Sequence, residues 1–588
     1  MKQLIQNHIQ TALQDLAEQQ QVELPELNKV NVENARDKSH GDYATNVAMM
    51  MAKVFKRSPR ELAEQLVTAL QQQALFQKVD IAGPGFINFT LSNDAKTQVV
   101  TTILQQKETF GTSNLGQDRK VILEYVSANP TGPLHVGHGR GTAIGATLAN
   151  ILKSQGYNVY QEYYVNDAGR QMNILAASVY LRYVELFDGQ KHAFPENGYK
   201  GAYVFDIASK IKDKHKDEFY FGEQFNLKGL PEDDTEAPGK EIYIDAVIGR
   251  VKEAIGTDGF ATIHAFGLHE VLEDIKNDLS EFGVEFDNYF SEKTLLDDGS
   301  IEKGIAALEQ ANLIYSKEDA VWFKSSEFGD EKDRVLRRSN GDTTYFASDV
   351  AYHWNKYDRK FTDMIDVFGA DHHGYVPRVK AAAQALGFND DAINVLLVQF
   401  ATLYRGQEKI SMSTRGGDFV TLRQLREEVG KDAARFFYVL RKSNQHMDFD
   451  LELAKSQTND NPVHYVQYAH ARVSSVFDKL ETKLQLSFDQ AQGEAALAKL
   501  DNTHEQQLLN QLQKYPEVLK LAARDKEPHQ LAYYLRDLAN FFHTYYNDCQ
   551  FIVDDEHLRN ARLCLVKATQ QVLKNGLALI GVSAPEQM

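Results

Sequence analysis

Apolar positions change their period from one third of this chain to the next. The first stretch mixes periods. Residues 1–20 repeat apolar residues at helical spacing, and Ser58-Pro59 before Arg60-Glu61-Leu62 reads as a helix cap. Val79–Thr90 reads as two short strands around Gly83-Pro84-Gly85. The middle stretch alternates strand and helix. Val121–Val126 is a β-rich apolar run. Ile144, Leu148, Ile151 and Leu152 mark a helix over Thr142–Gln155 that Gly156 stops, and Tyr157–Val165 is again a strand. Strand, Gly-rich loop, helix and strand make the βαβ unit of a nucleotide-binding sheet. Periodicity degrades from Glu185 to about Thr257, where the charge run Lys210–Glu218 predicts a solvated insertion between two halves of the sheet. Leu268, Val271, Leu272, Ile275 and Leu279 then predict a helix over 268–282. Val284–Tyr289, Ala320–Phe323 and Met364–Phe368 read as strands. From about 421 the chain turns helical, and past Asn461-Pro462 the spacing of Val466, Ala469, Val473, Val476 and Leu480 opens a helix bundle.

Length and composition narrow the class. A chain of 588 residues suggests about four domains of ordinary size. With 43% hydrophobic and 25% charged residues, the composition is that of a soluble globular protein. No apolar run approaches a membrane span, and the N-terminal helix lacks the apolar core of a signal peptide, so a cytoplasmic protein is expected. Two cysteines, Cys549 and Cys564, exclude a disulfide scaffold and a cysteine-rich zinc module. The net charge of -18 argues against a protein coated in nucleic acid, although a basic patch on an acidic body still steers a polyanion.

Chemistry concentrates in two loops. The turn-rich segment Pro130-Thr131-Gly132-Pro133 leads to His135 and His138, with Gly137 between them. A helix N-terminus offers unpaired N–H groups to phosphate, and glycine lets backbone approach a nucleotide. Two histidines there can donate to phosphate oxygens as charge builds. Zinc is not expected, because structural zinc wants four ligands and this loop has two histidines and no cysteine. A second strand runs into Gly369-Ala370-Asp371-His372-His373-Gly374, and no carboxylate cluster beyond Asp371 supports a metal there. Two such mouths suit a doubly wound sheet that binds ligands at the carboxyl ends of its strands. Tyr345 and Asp349, four apart, share one face of a helical turn.

The string from Glu124 through Asn129 to His135-Val136-Gly137-His138 resembles the signature of class I aminoacyl-tRNA synthetases, and specifically that of bacterial arginyl-tRNA synthetases. The resemblance implies a multidomain α/β protein with a Rossmann-type catalytic domain over 113–420 and an insertion near 190–260. It also implies an N-terminal α+β domain over 1–112 that contacts the tRNA elbow, a linker over 421–460, and an all-α anticodon-binding domain over 461–588. ATP, carried with Mg²⁺, would meet Pro130, Thr131, Gly132, His135, Gly137, His138, Gly369, Asp371, His372, His373, Met412 and Ser413. A guanidinium is a planar cation with five donors and demands carboxylates. The resemblance assigns Glu124, Asp349 and Tyr345 to that group, with Asn129 and His135 near the amino-acid head group. Only Met412 and Ser413 survive from the usual mobile-loop signature; Ser411 and Thr414 stand where lysines are usual, and Lys409 and Arg415 are the candidates to supply the charge. Phe86 and Asn88 are the candidate elbow contacts, and Tyr465, Tyr468 and Arg472 the anticodon contacts. The expected partners are tRNA(Arg), arginine and ATP, and the expected state is a monomer. The alternatives are another nucleotidyltransferase with the same signature, or a tRNA-binding relative without activity.

Overall fold

The computed structural model describes every residue except 36, 38, 39, 190–193, 235 and 411–419. Near the N-terminus, β1 (Glu33–Asn34), β2 (Tyr43–Thr45), β3 (Phe76–Ala82) and β4 (Phe86–Leu91) form an antiparallel sheet in the order β1-β2-β4-β3. It has its own core, with Ile87, Phe89 and Leu91 facing the helices Lys2–Gln20 and Pro59–Leu70. Ser58 caps the second helix in a reciprocal capping box with Glu61, as its sequence predicts.

The central sheet is parallel and five-stranded. Its strands β5 (Lys120–Glu124), β6 (Asn158–Val165), β7 (Asn288–Ser291), β11 (Asp363–Gly369) and β12 (Ile393–Val398) lie in the order β12-β11-β5-β6-β7. Between them in sequence, β8 (Ile314–Lys317), β9 (Ala320–Phe323) and β10 (Arg334–Arg337) build a small separate sheet. Side-chain alternation along β5 sends Val121 and Leu123 to one core and Ile122, with Glu124, to the opposite face. Both faces are covered, as a parallel sheet requires. Chain order reverses between β5 and β11, so the loops after these strands diverge and leave a crevice at their carboxyl ends. A third small sheet, β14-β13-β15, is made by β13 (Ala401–Arg405), β14 (Glu408–Lys409) and β15 (Met447–Asp450).

Two expectations change. The helix after β5 spans Val136–Ser154, so it begins at the histidine loop and not at Thr142. Its glycines weaken helix propensity, but packing demands two of them: a β-carbon on Gly145 would lie 2.4 Å from the Tyr125 ring and one on Gly139 2.8 Å from the Tyr438 ring, whereas Gly141 faces open space. The segment expected as a solvated insertion is built of packed helices. In Ala202–His215, Val204, Ile207, Ala208 and Ile211 enter the main core. The charges that hid this pattern sit on the outer face, where Lys210 pairs with Glu270 at 2.5 Å. The predicted helix over 268–282 is the end of Gly239–Glu281, which breaks at Gly256 (φ 73°, ψ 173°).

From Leu422 the chain is mostly helical. The helices Pro462–Asp478, Thr503–Asp525, His529–Asp548 and Glu556–Ile580 share one core with the central sheet. Asn150 donates to Leu579 O, and fully buried Arg435 donates to Ile580 O, Phe282 O and Gly283 O. These bonds tie the end of the bundle to the base of the sheet.

Candidate active site

The crevice between β5 and β11 holds a cavity of about 610 Å³. Glu124, Asn129, His135, Gly137, His138, Asp349, Gly369, Asp371 and His372 line it, so both predicted mouths meet there. Thr131 and Gly132 instead line an adjoining cavity of about 340 Å³, which shares Asn129, His135 and His138 with the first. Pro130 is buried beneath the loop. His373 lies outside both linings, with its Nδ1–H directed to Ala370 O at 3.3 Å.

His135 is the N-cap of the helix Val136–Ser154, and its Nδ1 accepts from Gly137 N at 3.1 Å. His138 Nδ1 accepts from His135 N at 3.3 Å, and the two rings stack with centroids 3.8 Å apart. An Nδ1 that accepts must be unprotonated, so a neutral ring carries its proton on Nε2. Burial lowers the pKa of His135, and burial together with His135 lowers that of His138 to about 3. Both are therefore neutral Nε2–H donors near pH 7. The helix is held from behind: buried Arg140 donates to Gln399 O and Gln445 O at 2.8 Å and to Lys442 O at 2.9 Å.

Asp349 faces the histidines across the cavity, on the helix Tyr345–Asp358. Its Oδ2 is enclosed and has no hydrogen-bond partner. Burial, then the Glu292 and Glu124 carboxylates, raise its pKa well above the usual aspartate range, with Arg378 opposing. An incoming cation would relieve that. Glu124 is less free. Its Oε1 accepts from Ser127 Oγ at 3.1 Å and its Oε2 from Lys356 Nζ at 2.7 Å. The intervening turn is strained, since Val126 and Ser127 have φ of 69° and 41°.

Other predicted residues stand elsewhere. Tyr345 begins its helix at the rim, 76% exposed, and does not line the cavity; the four-residue spacing to Asp349 holds, but the first turn projects outward. Lys409 lies exposed on β14. Met412, Ser413 and Arg415 fall outside the described residues. The chain re-enters at the histidine loop, where Val136 N donates to Val420 O at 3.1 Å and Leu422 N to Leu134 O at 2.8 Å. On β4, Phe86 is exposed, whereas Asn88 on the same face is buried between Ala44 and Asp80 on neighbouring strands. Tyr465, Tyr468 and Arg472 cluster around His543: Arg472 lies 4.4 Å from the Tyr468 ring centroid and 3.1 Å from His543 Nδ1. Tyr465 also lines a remote cavity of about 600 Å³ with Arg441 and Arg536.

Sequence reading missed Lys356, Asp366, Glu162, Arg359 and Arg140. Asp366 interrupts the apolar strand Met364–Phe368, and Tyr352, His353 and Lys356 follow Asp349 at helical spacing. That polar stripe facing a sheet was the available signal.

A doubly wound parallel sheet, stacked histidines capping the first crossover helix, and a helical domain packed behind define a class I aminoacyl-tRNA synthetase. Three family models match the chain. "Arginyl tRNA synthetase N terminal domain" covers residues 3–91, "tRNA synthetases class I (R), catalytic domain" covers 99–193 and 268–474, and "DALR anticodon binding domain" covers 466–588. An arginine–tRNA ligase of Legionella pneumophila (strain Corby) is 55% identical over 588 residues, spanning 100% of both chains. One from Coxiella burnetii (strain RSA 331 / Henzerling II) is 49% identical over 589 aligned positions, 100% of both chains. The solved arginyl-tRNA synthetase of Thermus thermophilus shares the fold, with a TM-score of 0.72 over 100% of both chains at 22% identity. The chain belongs to the arginyl-tRNA synthetase family.

Proposed function

We propose that this chain activates arginine with ATP, forming arginyl-adenylate and pyrophosphate, and then transfers the arginyl group to the terminal ribose of tRNA(Arg), releasing AMP. The observation that carries this reading is the enclosed, unpartnered Oδ2 of Asp349 across one cavity from two neutral histidine donors. A buried carboxylate without a partner is costly, and a guanidinium supplies charge and paired donors together. The α-carboxylate of arginine is already ionised, so it attacks the α-phosphorus without a general base. The new bond is carboxyl oxygen to phosphorus; the bond that breaks releases pyrophosphate. The protein orients the reactants and stabilises phosphate charge.

In this reading Asp349 and Glu124 hold the guanidinium, and Asn129 the head group. His135, His138 and the helix N-terminus bind the phosphates, while Gly369, Asp371 and His372 line the second ATP mouth. Tyr345 reaches the site only by turning inward. Lys409, with Arg415, neutralises the leaving pyrophosphate; if Lys409→Ala and Arg415→Ala leave ATP–pyrophosphate exchange unchanged, that assignment is wrong. Mg²⁺ enters with ATP and neutralises phosphate charge. Among the described residues no group of three or more His, Cys, Asp or Glu side chains is arranged to hold a metal ion. Exposed Phe86 serves the tRNA elbow, Asn88 reaching it only if its buried side chain turns outward, and Tyr465, Tyr468 and Arg472 serve the anticodon loop. Among the described residues no helix is long and apolar enough to cross a membrane. We place the enzyme in the cytoplasm as a monomer that binds tRNA before activating arginine, and sedimentation of the pure protein tests the state. The deciding experiment charges tRNA with each amino acid in turn. Arginine alone is expected; another amino acid, or none, overturns the reading.

A further inference from the structure

Asp366, Glu124 and Glu162 stand side by side across β11, β5 and β6, since Asp366 is in register with Glu124 and Glu124 with Glu162. Register partners project to the same face, so three buried carboxylates share one floor beneath the crevice. Like charges so placed repel, and unpaired they would be strongly destabilising. Their cations come from one short stretch. Lys356 Nζ bonds Glu124 Oε2 at 2.7 Å and Asp366 Oδ1 at 2.9 Å, and Arg359 Nη1 bonds Glu162 Oε2 at 2.7 Å. Lys356 is fully buried, with Nζ 4.3 Å from the Tyr352 ring centroid. Two turns earlier on the same helix is Asp349, seven residues away and on the same face. Lys356 thus pins the Asp349 helix to both strands that border the crevice. With Ser127 Oγ on Oε1, both oxygens of Glu124 are held before any substrate arrives.

We propose that Lys356 is a positioning residue for the amino-acid pocket: it locks Glu124 in one orientation and fixes its separation from Asp349. The two carboxylates then match a planar guanidinium and not a compact ammonium. The inference rests on the arginine reading above. Protonation divides the trio: burial raises the pKa of Glu124 against the pull of Lys356, while the other two groups stay charged. Burial opposes ionisation of Asp366, yet Lys356 overrides it and the pKa falls. The Lys356 ammonium is held charged against burial by Asp366 and Glu124.

The test is steady-state charging by Lys356→Gln and by the double variant Lys356→Met/Asp366→Asn. The double variant keeps the formal charge of the Glu124, Asp366 and Lys356 trio at -1 while releasing Glu124, so it remains informative if the single variant does not fold. Loss of a charged hydrogen bond predicts a KM for arginine raised about 10–100-fold. The KM values for ATP and tRNA should stay within about twofold, because their loops are untouched. Preference for arginine over lysine should fall by a similar factor. In Lys356→Gln the acid limb of kcat/KM for arginine should move to higher pH, because two buried carboxylates have lost their counter-ion. A folded variant with unchanged KM and unchanged arginine preference, or with only kcat lowered, overturns the proposal. A wild-type enzyme that does not use arginine fails the functional reading; one that does, with unaltered variants, fails this inference alone.

Discussion

Asp349 sits in its cavity at a cost that a bound cation would remove. Its raised pKa means the folded protein holds that proton more tightly than the unfolded chain does. This group's contribution to stability is therefore complete below the unfolded carboxylate pKa and is lost as pH rises through the folded value. Asp349→Asn should stabilise the free enzyme at neutral pH by about 1–3 kcal/mol, the penalty of an unsatisfied buried group. Calorimetric melting checks this. The same change should weaken arginine binding by about 10–100-fold, because a charge-assisted bond is gone. In the wild type, arginine affinity should fall as pH drops through the raised Asp349 pKa. Titration calorimetry in buffers of different ionisation enthalpy should show proton release on binding in that range. The histidines behave oppositely. His138, with a pKa of about 3, does not titrate between pH 5 and 8, so no limb of the activity profile in that window belongs to it. His138→Ala should lower ATP–pyrophosphate exchange by roughly 10²–10³, the usual loss for one oxyanion donor.

At the level of elements, the first crossover helix is the part on which the others depend. Arg140 joins it to the 399 and 442–445 segments through three backbone carbonyls. Arg140→Leu leaves those carbonyls without donors and should cost about 3 kcal/mol or more. The measurement is a lower denaturation midpoint, with adenylate formation lost before global unfolding. Much of this was legible in the chain. The period of apolar residues located β5, β6, β11 and the helix between the first two, because a buried parallel strand leaves a plain apolar run. The histidine loop and Asp349 were visible as chemistry. Other features were not. Glycine spacing masked the true start of the helix, since the close fit of Gly145 against Tyr125 exists only in three dimensions. Surface charges masked Ala202–His215, whose four buried apolar residues are enough to dock it. The carboxylate row depends on strand register, which no single strand encodes, so Lys356 looked like one more charged helix residue.

Across the whole molecule, the C-terminal segment is threaded between domains. Asp432 accepts from Gln467 Nε2 at 2.9 Å and from Ser583 N at 3.1 Å, and His470 donates to Pro585 O at 2.8 Å. The helix Pro462–Asp478, which carries the proposed anticodon contacts, therefore touches the same strap that Arg435 and Asn150 grip from the catalytic side. Arg435→Leu should impair charging although it touches no substrate, and limited proteolysis should then separate the two halves of the chain. The strap also sets a timetable. Asn150 meets its partner Leu579 across 429 residues of sequence. At about 5–20 residues per second, roughly 20–90 s pass between the synthesis of one partner and the other. During that wait the face of the first crossover helix that Glu556–Ile580 covers lacks that neighbour. Nascent chains that meet one another within that interval should associate through the uncovered face, so slower expression should raise the soluble yield.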